Sequence, residues 1–383
     1  MTQVSTAPEP VAALRGSQDR PWIPRFWSGM RLPAYARALA ANRFRVDPRR
    51  LGMALIILLA AAVNSILGAL QRLLYGSRIA RTEIRQHPIF VIGHWRSGTT
   101  LLHELLALDP RHTAPSTYAC FMPNHFLLTR RLLRPIISRL MPASRPTDDM
   151  PVGWDLPQED EFALCNMGMP SPYLTMMFPN RPPQFLQHLT LAAVSPSDRE
   201  RWKRTLLWFL RCLTLDRPGR LVLKSPPHTG RIRFLLEMFP DARFVYIVRD
   251  PYVVYASTMR HYRRLFRDQG LQKPRFEGLE ELVLDTGERL HHAFERDRPL
   301  LARGRLCEIS YEDLVADMPG QMRYIYRTLE LGDVDRVLPA IRQYAAARAG
   351  YRTNRYQIPP ETRARISRRW ATLLDVPVPR SSR

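Results

Sequence analysis

Short apolar runs recur along the chain and predict the strands of a buried sheet. Four of them read PIFVIG, RLVLK, ARFVYIV and LCEIS, and they begin at residues 88, 220, 242 and 306. Each is bounded by glycine, proline or charge, and each is followed by a turn and a longer amphipathic stretch, which is typical of parallel strands alternating with helices. The pattern predicts an α/β fold in which a central parallel sheet is flanked by helices.

A longer apolar run precedes these strands and predicts an N-terminal helix. Residues 51–70 carry no charge, and arginines lie on both sides of the run. The length fits a bilayer core, but the flanking charges give no orientation. A spanning helix, a helix in the membrane interface and a buried helix over the catalytic domain all remain open. We therefore divide the chain into a tail with a hydrophobic helix, residues 1–84, and a catalytic domain, residues 85–383.

The chain is strongly basic, with a formal charge of +22 from 57 Lys and Arg against 35 Asp and Glu. A basic surface suits phosphorylated cosubstrates, acidic substrates and anionic lipids as well as nucleic acid. The charge therefore does not require nucleic acid, and we expect no nucleic-acid partner. The four cysteines are widely separated, which indicates reduced thiols rather than a zinc site or disulfides. We expect a cytoplasmic protein, or one attached to the cytoplasmic side of a membrane.

The segment GHWRSGTT, which follows the first predicted strand, has the features of an anion-binding loop. Gly93 and Gly98 bracket four residues and an amphipathic helix follows, so backbone N–H groups point toward one spot. Glycine permits the tight turn, and the hydroxyls of Ser97, Thr99 and Thr100 add donors. The spacing predicts a loop that holds a phosphate or a similar anion.

The loop differs from that of the nucleoside triphosphatases at one position. Those enzymes have lysine directly after the second glycine, where it reaches the β and γ phosphates, and the next hydroxyl holds Mg²⁺. Here Thr99 takes that position, and Arg96 is the cation of the loop. The shift of charge favours a different anion and weakens the alternative of an ATP-dependent P-loop kinase.

GHWRSGTTLLHELL resembles the 5′-phosphosulfate loop of the sulfotransferase superfamily, whose members transfer a sulfuryl group from 3′-phosphoadenosine 5′-phosphosulfate (PAPS). Arg96 is similar to the variant found in carbohydrate and many bacterial members, whereas many cytosolic members have lysine. The resemblance implies a P-loop-like three-layer fold and PAPS as cosubstrate. It assigns the donor's phosphosulfate to Gly93, Arg96, Ser97, Gly98, Thr99 and Thr100, and Arg96 also to the leaving phosphate.

A second segment, RDPYVVYAS, supplies what the resemblance requires for the other end of the donor. It resembles the superfamily's 3′-phosphate motif, an arginine at a strand end and a serine eight residues later, here Arg249 and Ser257. An arginine at a strand's carboxyl end and a serine two turns into the next helix are able to converge on one phosphate. With the later segment around Tyr311-Glu312-Asp313, which we interpret as a helix cap, the resemblance covers about residues 88–331.

The catalytic groups are predicted from two further segments. Lys224 ends a strand, and its Lys-Ser-Pro sequence resembles that of bacterial and tyrosylprotein sulfotransferases, which implies contact with the sulfuryl oxygens. The base must take a proton from the acceptor near neutral pH, so it is a histidine or a partly buried carboxylate. By resemblance to the carbohydrate and tyrosylprotein types we favour Glu159, then Glu161. His228 and His94 stay open as alternatives, in keeping with the histidine base of the small-molecule cytosolic group.

These motifs predict a PAPS-dependent sulfotransferase that acts on a hydroxyl, with an amine as the alternative. We expect no metal, because His103-Glu104 lacks the second histidine of a zinc motif. Apolar segments at 116–128 and 167–179 favour a lipid or other hydrophobic alcohol, although a saccharide or another small molecule fits the same chemistry. Arg352 or Arg355 is expected to close over the nucleotide. The non-enzymatic alternative is a membrane-attached nucleotide-binding protein.

Overall fold

A computed structural model of the chain describes residues 9–10, 25–137, 153–348 and 356–374, with side chains left out at 9–10 and 133–137. Its centre is a sheet of five parallel strands in the spatial order β3-β4-β2-β5-β6. Short strands β1 and β7 form a separate parallel pair. The bounds are β1 Glu9–Pro10, β2 Ile89–Ile92, β3 His112–Thr113, β4 Arg220–Lys224, β5 Arg243–Val248, β6 Leu306–Ser310 and β7 Tyr356–Gln357.

Helices cover both faces of the central sheet, which confirms the predicted α/β class. In chain order they are α1 Leu32–Ala41, α2 Leu51–Arg81, α3 Thr99–Ala107, α4 Thr117–Phe121, α5 Phe126–Ile137, α6 Asp160–Asn166, α7 Pro196–Asp216, α8 Ile232–Met238, α9 Pro251–Gln269, α10 Leu279–Asp297, α11 Tyr311–Ala316, α12 Met318–Thr328, α13 Leu338–Ala347, α14 Pro360–Arg369 and α15 Ala371–Leu374.

Alternate residues of the strands face two separate cores. In β2, Phe90 and Ile92 pack into the larger core, while Ile89 and Val91 pack into the smaller one on the opposite face. This follows from the two-residue period of a strand, and it explains why the strand sequences are continuously apolar. The three layers of the fold are therefore helix, sheet and helix.

The strand register brings the predicted motifs to one edge of the sheet. Val91 in the central strand pairs with Lys224 on one side and with Val245 on the other, and Val248 pairs with Ser310 in the next strand. All these strands run in the same direction, so the segments that follow them emerge together. Ligands of open α/β sheets bind at this carboxyl edge.

The helices before the sheet pack against the catalytic part of the chain. Trp27, Tyr35 and Ile57 are fully buried in the same core as Phe90 and Phe244. Within the described residues, the span Pro48–Arg81 is long and apolar enough to cross a membrane by length and composition. The proposed division at residues 84 and 85 stays a prediction.

Helices also form the segments around the predicted catalytic groups. After Lys224 the chain forms a 3₁₀ helix at Pro226–Gly230, and α8 begins at Ile232. The apolar segments 116–128 and 167–179 contain α4, the start of α5 and a 3₁₀ helix at Pro172–Met176. Many of their apolar side chains are buried in the larger core.

Candidate active site

The loop between β2 and α3 follows a path that leaves no room for a side chain at either of its two glycines. Gly93 has φ +145°, and a Cβ there would lie 2.6 Å from the carbonyl oxygen of Ile247. Gly98 has φ +104°, and a Cβ there would collide with the ring of Tyr311. Arg96 between them also has a left-handed backbone, with φ 69°. Glycine at both ends is therefore needed for the close packing of the loop against β5 and α11.

Hydrogen bonds hold this loop in place from the inside. The Gly93 N–H donates to Thr229 Oγ1 over 2.8 Å, and Ser97 Oγ donates to the carbonyl of His94 over 2.8 Å. Ser97 and Thr99 are buried, whereas Thr100 is partly exposed at the first turn of α3. The loop therefore presents a fixed helix N-terminus, the kind of site that attracts anions.

The two predicted phosphate motifs meet in space. Arg96 Nε donates to Ser257 Oγ over 3.0 Å, and Arg249 Nη1 donates to the carbonyl oxygen of Arg96 over 3.1 Å. The Arg249 guanidinium lies 4.1 Å from the centre of the Tyr311 ring. Its buried Nε has no hydrogen-bond partner among the described residues. A donor buried in this way fits an anion that binds beside it.

Lys224 connects the loop to the predicted base. Its Nζ lies 2.6 Å from Glu159 Oε1 and 3.4 Å from Thr100 Oγ1. The Tyr173 hydroxyl donates a hydrogen bond to the other oxygen of Glu159 and accepts one from Trp95 Nε1 over 3.0 Å. The carboxylate is therefore held from two sides, by a cation at the end of β4 and by a chain that leads back to the phosphate loop.

The next two carboxylates are directed away from the cleft. Asp160 lies 2.7 Å from His228 Nε2 and accepts from Ser225, and Glu161 forms a 2.6 Å ion pair with Arg231. Burial opposes ionisation of Asp160, but the charge of His228 and these hydrogen bonds lower its pKa overall. Asp160 and Glu161 are at most 1% exposed and His228 is fully buried, so all three make their contacts inside the protein. The structure does not bring Glu161 or His228 to the cleft.

A cleft of about 330 Å³ lies over the carboxyl edge of the sheet. Its volume is within the range of small-molecule sites. The predicted residues that line it belong to the loop, the base segment and the arginine motif: Arg96, Gly98, Thr99, Thr100, Glu159 and Arg249. Lys224 is 2% exposed and lies beneath these residues, where its Nζ contacts Glu159 and Thr100.

The remaining histidine alternative, His94, lies outside the cleft. Burial lowers the pKa of His94 to about 4, although a hydrogen bond with the backbone of Trp95 acts in the opposite direction. His94 is not among the residues that line the cleft. Within the described residues, no group of three or more His, Cys, Asp or Glu side chains has an arrangement that could hold a metal ion.

The sequence interpretation missed several residues of this site. Tyr311, interpreted as part of a helix cap, lines the cleft, and the capping side chain is that of Ser310. The position of Tyr311 directly after β6, like that of Arg249 after β5, could have indicated that it lies at the cleft. Nothing in the sequence pointed to Tyr173, or to Arg348 in the cleft wall. Arg352 and Arg355 lie outside the described residues.

Comparisons with known proteins agree with this geometry. A family profile described as "Sulfotransferase family" matches residues 88–336. The chain is 45% identical over 361 residues to the omega-hydroxy-beta-dihydromenaquinone-9 sulfotransferase Stf3 of Mycobacterium tuberculosis, and equally to that of Mycobacterium bovis, with 94% of this chain and 93% of the relative covered.

Solved structures show the same fold at lower identity. The sulfotransferase STF9 from Mycobacterium avium superposes with a TM-score of 0.64 over 91% of this chain and 96% of its own, at 20% identity. STF1 from Mycobacterium tuberculosis gives 0.59 over 90% and 94%, also at 20% identity. None of these matches supports the kinase or the non-catalytic binding protein. With both phosphate motifs at one cleft and the matched region spanning the whole sheet, the chain belongs to the sulfotransferase family.

Proposed function

We propose that the cleft binds PAPS and that the enzyme transfers its sulfuryl group to a hydroxyl of a hydrophobic acceptor. The observation that carries the proposal is the meeting of Arg96, Ser257 and Arg249 above the sheet edge. The loop amides and the N-terminus of α3 hold the 5′-phosphosulfate, and Arg249 with Ser257 holds the 3′-phosphate. Tyr311 and Arg348 add an aromatic and a cationic wall to the same cleft.

The Lys224–Glu159 pair supplies the groups for the transfer. The acceptor oxygen attacks sulfur, its proton passes to the Glu159 carboxylate, and the bond from sulfur to the bridging oxygen breaks. That oxygen leaves on adenosine 3′,5′-bisphosphate, where Lys224 and Arg96 stabilise its charge. Lys224 Nζ lies between Glu159 and Thr100, so this amine stands between the proposed base and the loop that holds the donor.

The acceptor is a hydroxyl at the end of a long apolar chain, such as an isoprenoid quinone alcohol. The support is the 45% identity, over 94% of the chain, to Stf3 enzymes named for an omega-hydroxy dihydromenaquinone. A saccharide or an amine acceptor has no comparable support. The enzyme works on the cytoplasmic side of the membrane, in keeping with four free, buried cysteines that suit a reducing compartment.

Calorimetry with adenosine 3′,5′-bisphosphate tests the donor site. The wild type is expected to bind, and Arg249→Ala is expected to weaken binding at least tenfold because it removes a charge-assisted contact worth roughly 1.5–3 kcal/mol. Arg323→Ala is the matched control, since it removes an exposed arginine that pairs with Asp335. Absence of binding, or equal binding by Arg249→Ala and the wild type, would contradict the donor assignment.

Mass spectrometry of reaction products tests the acceptor separately. The enzyme is incubated with PAPS and either an omega-hydroxylated isoprenoid quinone or a short water-soluble alcohol. We expect a sulfate-sized mass gain on the quinone alone. Sulfation of neither acceptor by an enzyme that binds the bisphosphate would refute the acceptor class and leave the donor site intact.

A further inference from the structure

Helix α2 has two distinct faces over most of its length. One face is buried against the protein at Met53, Ile57, Ala61, Asn64, Gly68 and Gln71. A second series has the same spacings but is shifted by two residues: Leu55, Leu59, Val63, Ile66, Leu70 and Leu73. A shift of two residues is roughly 200° around a helix, so the second series points away from the protein. We call this second series the outer face.

The inner face is fixed to the protein by specific polar contacts. Asn64 Nδ2 donates to the carbonyls of Ser28 and Met30, and its Oδ1 lies 3.0 Å from His125 Nε2. Gln71 Oε1 accepts from the N–H of Leu127 over 2.9 Å. Buried amides without partners are costly, so these contacts fix both the position and the rotation of the helix.

The outer face is exposed and apolar. Leu59 is 61% exposed, Ile66 69% and Leu73 81%, and Phe44 in the turn before the helix is 67% exposed. The helix has 31 residues, roughly 46 Å at the usual rise per residue. An apolar stripe of this extent is larger than the scattered exposed side chains of ordinary surfaces, and it indicates a binding face.

Exposed arginines border the stripe at both ends. They are Arg43, Arg45 and Arg49 before the helix and Arg72, Arg78, Arg81 and Arg85 in and after its second half. Between Asp47 and Glu83 the chain has no acidic residue. An apolar stripe with basic ends matches a bilayer surface, where acyl chains receive the apolar side chains and lipid phosphates receive the guanidinium groups.

We propose that the outer face of α2 docks the enzyme onto an anionic lipid bilayer, with the helix in the plane of the interface rather than across the membrane. If α2 spanned the membrane, the elements packed against its inner face would also have to lie in the hydrocarbon core. Helix α7, which packs on α2, carries charged residues throughout its first half, and such a helix is not stable among acyl chains.

The charge pattern also disfavours a second copy of the chain as the occupant. In an antiparallel pair of α2 helices, the arginines of one end would face those of the other end, and no carboxylate of α2 is available to compensate them. Anionic lipid phosphates neutralise both ends at once. The bilayer is therefore the occupant that satisfies the apolar stripe and its charged ends together.

Flotation of the whole chain with preformed vesicles tests the docking and needs no enzymatic activity. We expect the wild type to float with phosphatidylcholine vesicles that contain phosphatidylglycerol, and less with phosphatidylcholine alone. The triple variant Leu59→Asn, Ile66→Asn, Leu73→Asn is expected to bind about tenfold or more weakly, since each side chain loses apolar contact with the bilayer. Flotation of the single variant Leu73→Asn is compared with that of Leu300→Asn. The second variant is the control, because Leu300 is also exposed, at 52%, but lies on a distant 3₁₀ helix.

A fluorescent label gives a second readout that does not depend on the triple variant folding. The native cysteines are buried, so a dye attached through Ile66→Cys labels the outer face selectively, and Asp335→Cys labels a distant exposed site. A blue shift on vesicle addition is expected for the first label alone. Equal flotation of the triple variant and the wild type, no shift at position 66, or no binding when the protein is added from solution would overturn the proposal. So would a dimer in sedimentation that the triple variant abolishes without any effect on flotation.

Discussion

Glu159 and Glu161 are two residues apart, and each pairs with a cation from the end of β4 or the turn that follows it. The Lys224–Glu159 pair stands in the wall of the cleft, where the glutamate side chain is 14% exposed. The Arg231–Glu161 pair lies behind it, with side chains 0% and 1% exposed. Two ion pairs of similar composition and length thus have different surroundings within one short segment.

The difference teaches how a carboxylate that is available to a reaction can be told from a structural one. A base must reach the acceptor, so it needs a partner that is able to release it, such as a single lysine beside a cleft. Arg231 instead holds Glu161 with two nitrogens and the carbonyl of His188 with two, and its guanidinium lies 5.2 Å from the centre of the Trp202 ring. A carboxylate held in this way secures the fold and is not available to the reaction.

The largest effect is expected from Glu159→Gln, which removes the proposed base and keeps the shape of the side chain. We expect kcat to fall by about 10²–10⁴-fold, the usual contribution of general base catalysis, with little change in thermal stability. Single-turnover assays with PAPS and a calorimetric melt measure the two quantities. Glu237→Gln, which alters an exposed pair with Lys203, is the control. A variant with near-normal kcat would show that Glu159 is not the base.

The buried pair is expected to respond in stability instead. Arg231→Met leaves Glu161 as an uncompensated buried charge, so the free energy of unfolding should fall by about 3–5 kcal/mol. Denaturant titration measures the loss, and Arg323→Met, at an exposed arginine, should cost less than about 1 kcal/mol. If both variants lose the same stability, the contrast between the buried pair and an exposed one fails.

Acid should lower the free energy of unfolding through buried histidines. Burial lowers the pKa of His103 to about 3 and that of His125 to about 4, so the unfolded chain binds more protons than the folded chain between about pH 6.5 and 4. Stability therefore falls as pH falls through this window, on the order of 1–2 kcal/mol between pH 7 and 5 for one such histidine. Denaturant midpoints measured across the window check this. His125→Gln should reduce the slope of stability against pH. A flat profile would contradict burial of these rings in neutral form.

The smallest effect concerns Tyr173, which contacts the proposed base and takes no part in the transfer itself. Tyr173→Phe removes its bond to Glu159 and leaves Trp95 Nε1 without its partner, so kcat should fall by about tenfold and the pH dependence of kcat should shift. Affinity for adenosine 3′,5′-bisphosphate should stay unchanged. Tyr326→Phe, a buried tyrosine bonded to Asp109, is the control. An unchanged pH profile would assign Tyr173 a purely structural role.

Much of the loop and strand arrangement around the proposed donor site could be predicted from local sequence. GHWRSGTT determines a loop whose glycines take left-handed φ values, and the spacing of Arg249 and Ser257 determines that both emerge near one strand end. The turn and the helix after it depend on residues close in sequence, whereas the close approach of Gly93 to Ile247 and of Gly98 to Tyr311 is made only when the chain packs. The parallel sheet was also predictable, because strands buried on both faces are continuously apolar.

The surroundings of the acidic residues and the orientation of α2 depended on contacts between distant segments. The resemblance favoured Glu159 over Glu161, but the burial of each residue was decided by the start of α6 and the path of 224–231, which place Glu159 in the wall of the cleft and Glu161 behind it. Likewise, the uncharged run at 51–70 determines a helix long enough to span a bilayer, but Asn64 and Gln71 show which face the protein covers. The order of apolar and polar residues determines the elements, and composition determines the charge, whereas the direction of a side chain relative to distant neighbours is a property of the packed chain alone.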